Sequence, residues 1–379
     1  MNIKSQPGRK PRKYLIGTFL IAFAWVAVQL LLFRTNGINT EGESEKYISE
    51  AHRLVSGEHL SSLNFYFYSV VIVIIAISLK INAGFFIPLA IQLLLNLFAT
   101  FTFYKWASKN FDSTTGLVAT LCLIAFFPYQ EFNTFLQTES VYYSLIIILS
   151  CFLFSLEKIN LTNVVKLTFL LLLLTLTRPS GILFIPCVAG FLYIRFIKQY
   201  AAKTKFYIAA ATSIIFMGCV QLIMTSGGEF DFILPFIQEH IICGVPTVTA
   251  TNTSYGSGLP DLIRYIFNNG SQVLSLAGRR SIAFFGLSRT YYSFTHNMLL
   301  IAVFWVLYVF AISGLKLWWR KDRAVTVYLI STIFITWLTA MLTCDDWHNR
   351  FILALYPALI SLALPAGHKL RASLTKMRI

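Results

Sequence analysis

The residues of this chain that could do chemistry begin with a run of carboxylates, EGESEKYISEAHRLVSG at 41–57. Glu41, Glu43, Glu45 and Glu50 are four of only 16 acidic residues in a chain of 379. Such carboxylates can act as a general base, taking a proton from a nucleophile, or as ligands of a divalent metal. The run follows the first apolar stretch long enough to cross a bilayer. We therefore predict that at least one of these carboxylates is functional.

Glu43 is a candidate functional carboxylate because of its place on a short helix. The apolar residues that follow it fall on one helical face, at i, i+4 and i+7: Tyr47, Ala51 and Leu54. Gly57 suits the C-terminal cap of that helix. Glu43 then lies at the helix N-terminus, where a carboxylate can also serve only to complement the helix dipole. Glu45 is a rival for the catalytic role.

Two further segments place a charged residue at the end of an apolar helix. Glu139 lies in FLQTESVYY, where it is either a functional carboxylate at membrane depth or part of a helix N-cap with Thr138. Arg178 precedes Pro179 in LTLTRPSGILFIP, and proline breaks the helix there. The guanidinium of Arg178 can bind a phosphate bidentately or extend to lipid head groups.

A polar turn, CDDWHNR at 344–350, joins two apolar segments near the end of the chain. It contributes Asp346, His348 and Arg350 as candidate substrate ligands. The alternative is an ordinary hydrophilic hairpin with an ion pair between Asp346 and Arg350 at i, i+4. Arg289 and His296, in the long polar segment before it, and Tyr47, beside Glu43, complete the set of candidate substrate-binding residues.

The composition shows what kind of protein must position these residues. The chain is 56% hydrophobic and only 12% charged, against about 25% charged in soluble domains. We predict an all-α polytopic membrane protein. The net charge of +15 is explained by Lys and Arg at the cytoplasmic surface, so we expect membrane lipids and no nucleic acid as partners. The six cysteines show no metal spacing, and we infer no disulfide framework.

Assigning the basic clusters to the cytoplasm predicts about ten transmembrane helices, within a range of eight to eleven. They are 14–34, 85–104, 115–130, 140–157, 164–177, 181–197, 206–224, 297–315, 324–343 and 350–366. Most of the acidic residues then face the outer side. The segment 63–80 either spans the membrane or forms a juxtamembrane or re-entrant helix in the first outer loop. We prefer the latter, because a span would invert every later loop.

This topology divides the chain into three regions. Residues 1–224 form an N-terminal transmembrane module that includes the first outer loop, 35–84. Residues 225–296 form an outer-face loop region of roughly 70 residues, which is long for an irregular loop and suggests a functional lid or binding element. Residues 297–379 form C-terminal transmembrane helices and a cytoplasmic tail.

At these residues the chain resembles the C-type (GT-C) glycosyltransferases, which include protein O-mannosyltransferases and lipid A aminoarabinose transferases. The resemblance has four parts, spread over about 14–200 and 340–366. They are an acidic residue four before a tyrosine (Glu43, Tyr47), a second acidic residue after a proline-containing helix end (Pro128, Glu139), an Arg-Pro pair (Arg178, Pro179), and an arginine and aromatic residue leading into a helix with proline (Arg350, Phe351, Pro357). The family usually has Asp where this chain has Glu43.

The resemblance implies that the chain transfers a sugar from a polyprenyl-phosphate-linked donor to a glycan or lipid-linked acceptor. It implies Glu43 as general base, Glu139 as a substrate or metal contact, and Arg178 and Arg350 as phosphate contacts. A divalent metal at Glu43 and Glu139 is left open. We expect a bacterial inner membrane with the active site facing the periplasm.

Three alternatives compete with a transferase. The first is a transporter or flippase of polyprenyl-linked saccharides, which would line a path at the bilayer midplane with ionisable residues. Mid-depth polar residues are scarce here, Gln92 and Asn96 being the main ones. The others are a polysaccharide polymerase, which would not need the acidic first loop, and a membrane scaffold without enzymatic activity.

Overall fold

The fold was analysed in a computed structural model that describes residues 11–197, 201–225, 233–248, 259–345 and 347–376. The chain is helical within these ranges and forms no strand there. Two isolated β-bridges, Asn39 with Phe135 and Ile242 with Asp345, are its only extended pairings among the described residues. The structure is therefore all-α, as predicted.

The N-terminal half consists of ten α-helices in the described ranges. They are α1 (Pro11–Asn36), α2 (Glu43–Val55), α3 (Ser69–Lys80), α4 (Phe86–Asn110), α5 (Ser113–Ala125), α6 (Phe127–Gln130), α7 (Glu139–Phe154), α8 (Leu161–Thr177), α9 (Phe184–Leu192) and α10 (Ala202–Thr225). Short 3-10 segments precede α3, follow α6 and precede α9: Leu63–Tyr68, Glu131–Thr134 and Pro179–Leu183.

The C-terminal half continues with seven more helices in the described ranges. They are α11 (Leu234–Ile237), α12 (Leu259–Asn268), α13 (Gly270–Gly286), α14 (Phe294–Lys321), α15 (Arg323–Leu342), α16 (Arg350–Ala354) and α17 (Tyr356–Lys376). The segment predicted as a loop, 225–296, is thus largely helical where it is described. Its helices were missed because their apolar residues are interrupted by Asn, Gly and Arg.

Six helical segments of the described chain are long and apolar enough to cross a membrane. They are Lys13–Asn36, Leu63–Lys80, Phe86–Asn110, Pro179–Ile197, Phe294–Lys321 and Arg323–Leu342. A seventh candidate is the pair Ser113–Ala125 and Phe127–Thr134, bent by 71°. The predicted helix 115–130 is broken there because Pro128 starts a new helical turn. The chain is an integral membrane protein, but these lengths do not confirm the count of about ten helices.

Several of the predicted cytoplasmic segments lie together at one end of the helices. Asp112 caps α5 and also contacts the side chains of His368, at 2.8 Å, and Arg371. Lys321 donates a hydrogen bond of 2.6 Å to the carbonyl of Asn110. At the start of α15, Asp322 pairs with Arg195. These contacts join segments from four distant parts of the chain, as the charge pattern requires.

The candidate functional residues lie at the opposite end. Along α4, Gln92 donates to the carbonyls of Phe135 and Gln137, both at 3.1 Å, just before Glu139. Asn110, on the same helix, contacts the basic end through Lys321. Eighteen residues of helix separate Gln92 from Asn110 (110 minus 92), which corresponds to about 27 Å. That length is close to the hydrocarbon thickness of a bilayer.

The ambiguous segment, Leu63–Lys80, begins beside α2. At its start, the ring of Tyr68 packs on Tyr47 with 5.3 Å between centroids. Its end is joined by a five-residue turn to α4, whose Gln92 contacts the segment before Glu139. The segment is long and apolar enough to cross a membrane, so the juxtamembrane or re-entrant interpretation stays a prediction.

The inference that the chain has no disulfide is wrong. Cys243 and Cys344 form one, with their Cα atoms 5.1 Å apart. The backbone explains the pairing: Cys243 donates to the carbonyl of Asp345 at 2.8 Å, and Asp345 donates to that of Ile241 at 2.9 Å. Both cysteines lie outside the long apolar helices. The other four, inside helices, are free thiols.

Candidate active site

Glu43 is positioned by a contact between the segment that precedes α2 and the segment that precedes α7. The amide of Asn39 donates to the carbonyl of Thr134 at 2.9 Å, and the amide of Leu136 donates back to Asn39 at 3.0 Å. This bridge holds the start of α2 above the start of α7. Helix α2 then buries Tyr47 and Ala51, as its apolar spacing predicted. Glu43, at its first turn, faces the segment that carries Glu139.

Glu139 is the first residue of α7 and its side chain is fully buried. The preceding segment is fixed by side chains from three helices. Gln92 binds two of its carbonyls, and Ser140 donates to the Oδ1 atom of Asn133 at 2.6 Å. Asn133 in turn donates to Gln130 at 2.9 Å. These buried polar contacts explain why a charged residue can be held at this depth.

The two arginines are each placed by a break in a helix. Arg178 has an extended backbone, φ −156° and ψ 138°, between the end of α8 and the 3-10 turn that begins at Pro179. A Cβ atom at Gly181 would overlap the carbonyl of Leu174, so this tight turn requires glycine. Arg350 begins α16, and its carbonyl accepts a hydrogen bond of 3.0 Å from the hydroxyl of Tyr143.

Four side chains from these four segments form one chain of ion pairs, which we call the charge cluster: Glu43, Arg350, Glu139 and Arg178. Arg350 binds both oxygens of Glu43, with Nη2 at 2.7 Å from Oε1. Its Nη1 atom also lies 3.1 Å from Glu139 Oε1, and Arg178 pairs with the same oxygen. Positive and negative groups thus alternate, and the formal charges cancel.

Burial differs sharply along the charge cluster. Glu139 is fully buried and the side chain of Arg350 is 8% exposed, whereas that of Glu43 is 37% exposed. Glu43 is therefore the carboxylate that an incoming molecule can reach. Its rival, Glu45, is exposed on the neighbouring face of α2, and Glu50 accepts a hydrogen bond of 2.9 Å from the amide of Ser61.

The environment holds Glu43 as a carboxylate. Burial acts to raise its pKa, but the hydrogen bonds and charge of Arg350, helped by Lys46 and Arg178, lower the pKa to about 2. Tyr47 shows the opposite effect: burial first, and then the nearby Tyr68 and Glu43, raise the pKa of its hydroxyl well above the ordinary value. A phenol in this environment stays neutral and can donate a hydrogen bond to an anion.

The donor set does not fit a divalent metal between Glu43 and Glu139. The Nη1 atom of Arg350 contacts both carboxylates and takes the place between them where a cation would bind. No group of three or more His, Cys, Asp or Glu side chains with metal-binding geometry occurs among the residues that the structure describes. The charge cluster is instead compensated by guanidinium groups.

Both arginines also line a crevice with about 300 Å³ of empty space, including its open mouth. Its walls are largely apolar, and include Phe184, Phe351 and Leu355. The guanidinium of Arg178 lies 5.7 Å from the ring centre of Phe351. Positive groups at the end of an apolar crevice suit an anion that carries a hydrocarbon chain.

The remaining predicted site residues do not join the charge cluster. Arg289 forms a separate, buried ion pair with Asp345. His296 stacks on Tyr292, with ring centres 4.2 Å apart, and His348 is exposed near it. Asp346 lies outside the described residues. The candidate substrate ligands therefore fall into two neighbouring groups, connected through the turn that precedes Arg350.

Three positioning features escaped the sequence analysis. Gln92 stood out as an isolated polar residue in an apolar helix, but its partners are 43 and 45 residues away. Asp345 was read only as part of a polar turn, although it pairs with Arg289. The disulfide had a usable signal, since Cys243 and Cys344 are the cysteines outside the apolar stretches.

No protein-family model matches this chain, and no curated protein matches it. Its function is therefore inferred from the geometry of the residues described above.

Proposed function

We propose that the chain is a membrane glycosyltransferase of the GT-C type. It transfers a sugar from a polyprenyl-phosphate-linked donor to a glycan or lipid-linked acceptor. The observation that carries this proposal is the charge cluster, in which a partly exposed carboxylate meets two arginines at the end of an apolar crevice. Four segments separated by up to 307 residues build it, which is a costly arrangement for structure alone.

The reaction assigns a step to each member of the cluster. Arg178 and Arg350 bind the phosphate of the donor, whose hydrocarbon chain follows the apolar wall of the crevice. Glu43 accepts the proton of the acceptor hydroxyl as its oxygen forms a bond to the anomeric carbon. The bond from that carbon to the phosphate oxygen breaks, and the polyprenyl phosphate leaves with the electron pair. Glu139 keeps the two arginines aligned.

The low pKa of Glu43 implies that the donor binds before Glu43 acts as the base. While Arg350 binds both oxygens of Glu43, the carboxylate is too weak a base to take a proton from a hydroxyl. A donor phosphate competes for the same guanidinium, so Arg350 moves part of its hydrogen bonding from Glu43 to the phosphate. The pKa of Glu43 then rises, and the base becomes effective only when the donor is present.

The transporter alternative has less support. The two polar residues in its favour, Gln92 and Asn96, have structural partners: Gln92 binds the segment before Glu139, and Asn96 accepts a hydrogen bond of 2.8 Å from Trp25. Among the described residues, neither side chain lines a polar pathway across the helices. The charged groups collect at the two ends of the helices.

The proposed enzyme has about ten crossings, with the charge cluster on the periplasmic side of a bacterial inner membrane. The shorter apolar helices α7, α8 and the segment Ala210–Leu222 would add to the long spans. Two observations support the orientation. The cationic end of the molecule suits the cytoplasm, and the Cys243–Cys344 disulfide at the other end suits an oxidising compartment.

The activity is tested in membranes that contain the chain and a labelled polyprenyl-phosphate sugar. We expect Glu43→Gln to abolish transfer of the label to membrane glycans while expression stays unchanged. Glu45→Gln is the matched control, because this exposed residue lies two positions away, and it should retain transfer. Full transfer by Glu43→Gln would exclude Glu43 as the base.

The orientation is tested with a membrane-impermeant maleimide on single introduced cysteines. Ser49 and Ser293 are exposed near the charge cluster, whereas Ser155 and Ser373 are exposed at the cationic end. We expect Ser49→Cys and Ser293→Cys to react from the periplasm and Ser155→Cys and Ser373→Cys only after lysis. The reverse pattern would refute the orientation and leave the cluster itself untouched.

A further inference from the structure

Beside the charge cluster, four rings form a continuous surface that the proposed chemistry does not use. We call it the aromatic platform, and it consists of Tyr291, Tyr292, His296 and Trp347. The ring centres of Tyr291 and Trp347 are 5.1 Å apart, and those of Tyr291 and Tyr292 are 4.9 Å apart. His296 stacks on Tyr292. Tyr291 and Trp347 are 41% and 42% exposed, so the platform presents ring surface to solvent.

The platform is held by a rigid support. The hydroxyl of Tyr291 donates to the carbonyl of Trp347. Directly before Trp347, the disulfide and the buried Arg289–Asp345 pair fix the polar turn from below. After it, the side-chain Nδ2 atom of Asn349 donates to the carbonyl of Leu287 at 3.0 Å. Fixed rings of this kind bind without the entropy cost of ordering flexible side chains.

The platform is also close to the base. Trp347 is three residues before Arg350, whose side chain binds Glu43, so their Cα atoms lie within about 10 Å of each other. Asn349, between them, has a buried side-chain oxygen that accepts no hydrogen bond from any described residue. A ligand on the rings therefore lies within the length of a short oligosaccharide from the carboxylate.

We propose that the aromatic platform binds the acceptor, and that the acceptor is a saccharide held by the apolar face of a sugar ring. Aromatic side chains with polar edges suit such a ligand, because one face of a pyranose is lined by C–H groups while its rim carries hydroxyls. This assignment rests on the proposed transfer reaction for its purpose, but the binding itself can be measured separately.

The competing explanation is an aromatic belt that anchors the chain at the membrane surface. Phe294 provides the control, since it is 80% exposed and only three residues from Tyr291, yet it contributes no ring to the platform. If the rings formed a membrane-anchoring belt, Phe294 would contribute to anchoring at least as much as Tyr291. A saccharide site would depend on Trp347 and Tyr291 and be indifferent to Phe294.

The experiment uses the full chain in lipid nanodiscs on an array of immobilised bacterial envelope oligosaccharides. We expect Trp347→Ala and Tyr291→Ala each to weaken binding about tenfold, as the loss of one stacked ring predicts. Phe294→Ala should bind like the unmodified protein. Trp347→Phe and Tyr291→Phe keep a ring and should retain most of the binding, which separates ring contact from misfolding.

The outcomes separate the two proposals. If the unmodified protein binds no saccharide, if the alanine variants bind normally, or if Phe294→Ala loses as much binding as they do, the platform is not an acceptor site. Binding of a polyprenyl phosphate should be unchanged in Trp347→Ala and lost in Arg350→Ala. Saccharide binding that depends on Trp347, in a protein that transfers no sugar, would overturn the transferase and leave the platform in place.

Discussion

Arg350→Met is the most informative single change, because Arg350 contacts both carboxylates of the charge cluster. Methionine keeps much of the side-chain volume and removes the charge. The variant leaves two carboxylates with one guanidinium, Arg178, which already pairs with Glu139. The structure predicts both how much stability is lost and which second change restores it.

The expected loss in the free energy of unfolding depends on how deeply each contact of Arg350 is buried. Removing one partner of a buried ion pair costs about 3–5 kcal/mol, because the other charge stays desolvated. The contact with Glu139 belongs to this class, since that side chain is fully buried. The contact with Glu43 is discounted, because Glu43 is 37% exposed and exposed pairs contribute about 0–1 kcal/mol. We therefore expect Arg350→Met to lower the free energy of unfolding by about 3–5 kcal/mol, mostly through Glu139.

Two double variants test whether the loss of stability comes mainly from the contact with Glu139 or from the contact with Glu43. In Arg350→Met, Arg178 alone must balance two carboxylates, so adding Glu139→Gln removes the excess buried negative charge and should recover about 1–3 kcal/mol. Adding Glu43→Gln instead should recover less than about 1 kcal/mol, because water already solvates that carboxylate. The assay is denaturant unfolding in mixed micelles. Equal recovery by the two double variants, or a loss below about 1 kcal/mol for Arg350→Met alone, would refute the arrangement of the cluster.

Three further predictions concern stability. The pKa of Glu43 is lowered to about 2 from its ordinary value of 4.5. Its ion pair therefore contributes fully to stability above about pH 4.5, and this contribution is lost as the pH falls toward 2. Glu43→Gln should flatten this part of the pH profile of the unfolding midpoint. Arg280→Met should lower the free energy of unfolding by at least about 3 kcal/mol, because the fully buried guanidinium of Arg280 donates to three backbone carbonyls. Arg279→Met is the control: Arg279 belongs to an exposed ion pair, so the same unfolding assay should show a loss of less than about 1 kcal/mol. Cys344→Ser opens a link across 101 residues and should cost up to about 4–5 kcal/mol, and an unreduced digest should contain the Cys243–Cys344 peptide pair only in the unmodified protein.

The sequence was a good guide to residues near each other on short, regular elements. The i, i+4, i+7 spacing after Glu43 predicted α2 and its buried face, and Gly57 follows the helix with a positive φ of 82°. The charge pattern predicted which segments meet at the cationic end. Both depend on local periodicity or on the composition of whole loops, which a single sequence contains.

It was a poor guide to pairings between distant residues. Nothing in the sequence says that Arg350 contacts Glu43, which is 307 residues away. The partner of a charge is decided by which helix ends meet in space. The same limit explains why Arg289 and His296 were grouped with the charge cluster, although Arg289 belongs to a pair with Asp345.

The burial of the residues next to these charges in the sequence shows the same limit. Ser44, Thr138 and Asn349 flank the key residues in sequence, but all three side chains are buried. In each case the residue beside a buried charge helps to hold the backbone that carries it. The exposed positions lie one or more residues away, on the opposite helical face, and only the packed structure identifies them.

Because the charge cluster is neutral, two arginines can remain buried at the end of an apolar crevice when no ligand is bound. Isolated guanidinium groups there would bear a large desolvation cost, so each is paired with a carboxylate in the free protein. In the proposed reaction, the donor phosphate replaces one anion by another, and the displaced anion is Glu43, the most exposed member of the charge cluster. Glu139, which solvent does not reach, stays in place and keeps Arg178 and Arg350 together. The unequal burial of the two carboxylates thus separates their roles: the buried one fixes the arginines, and the accessible one is released to take a proton.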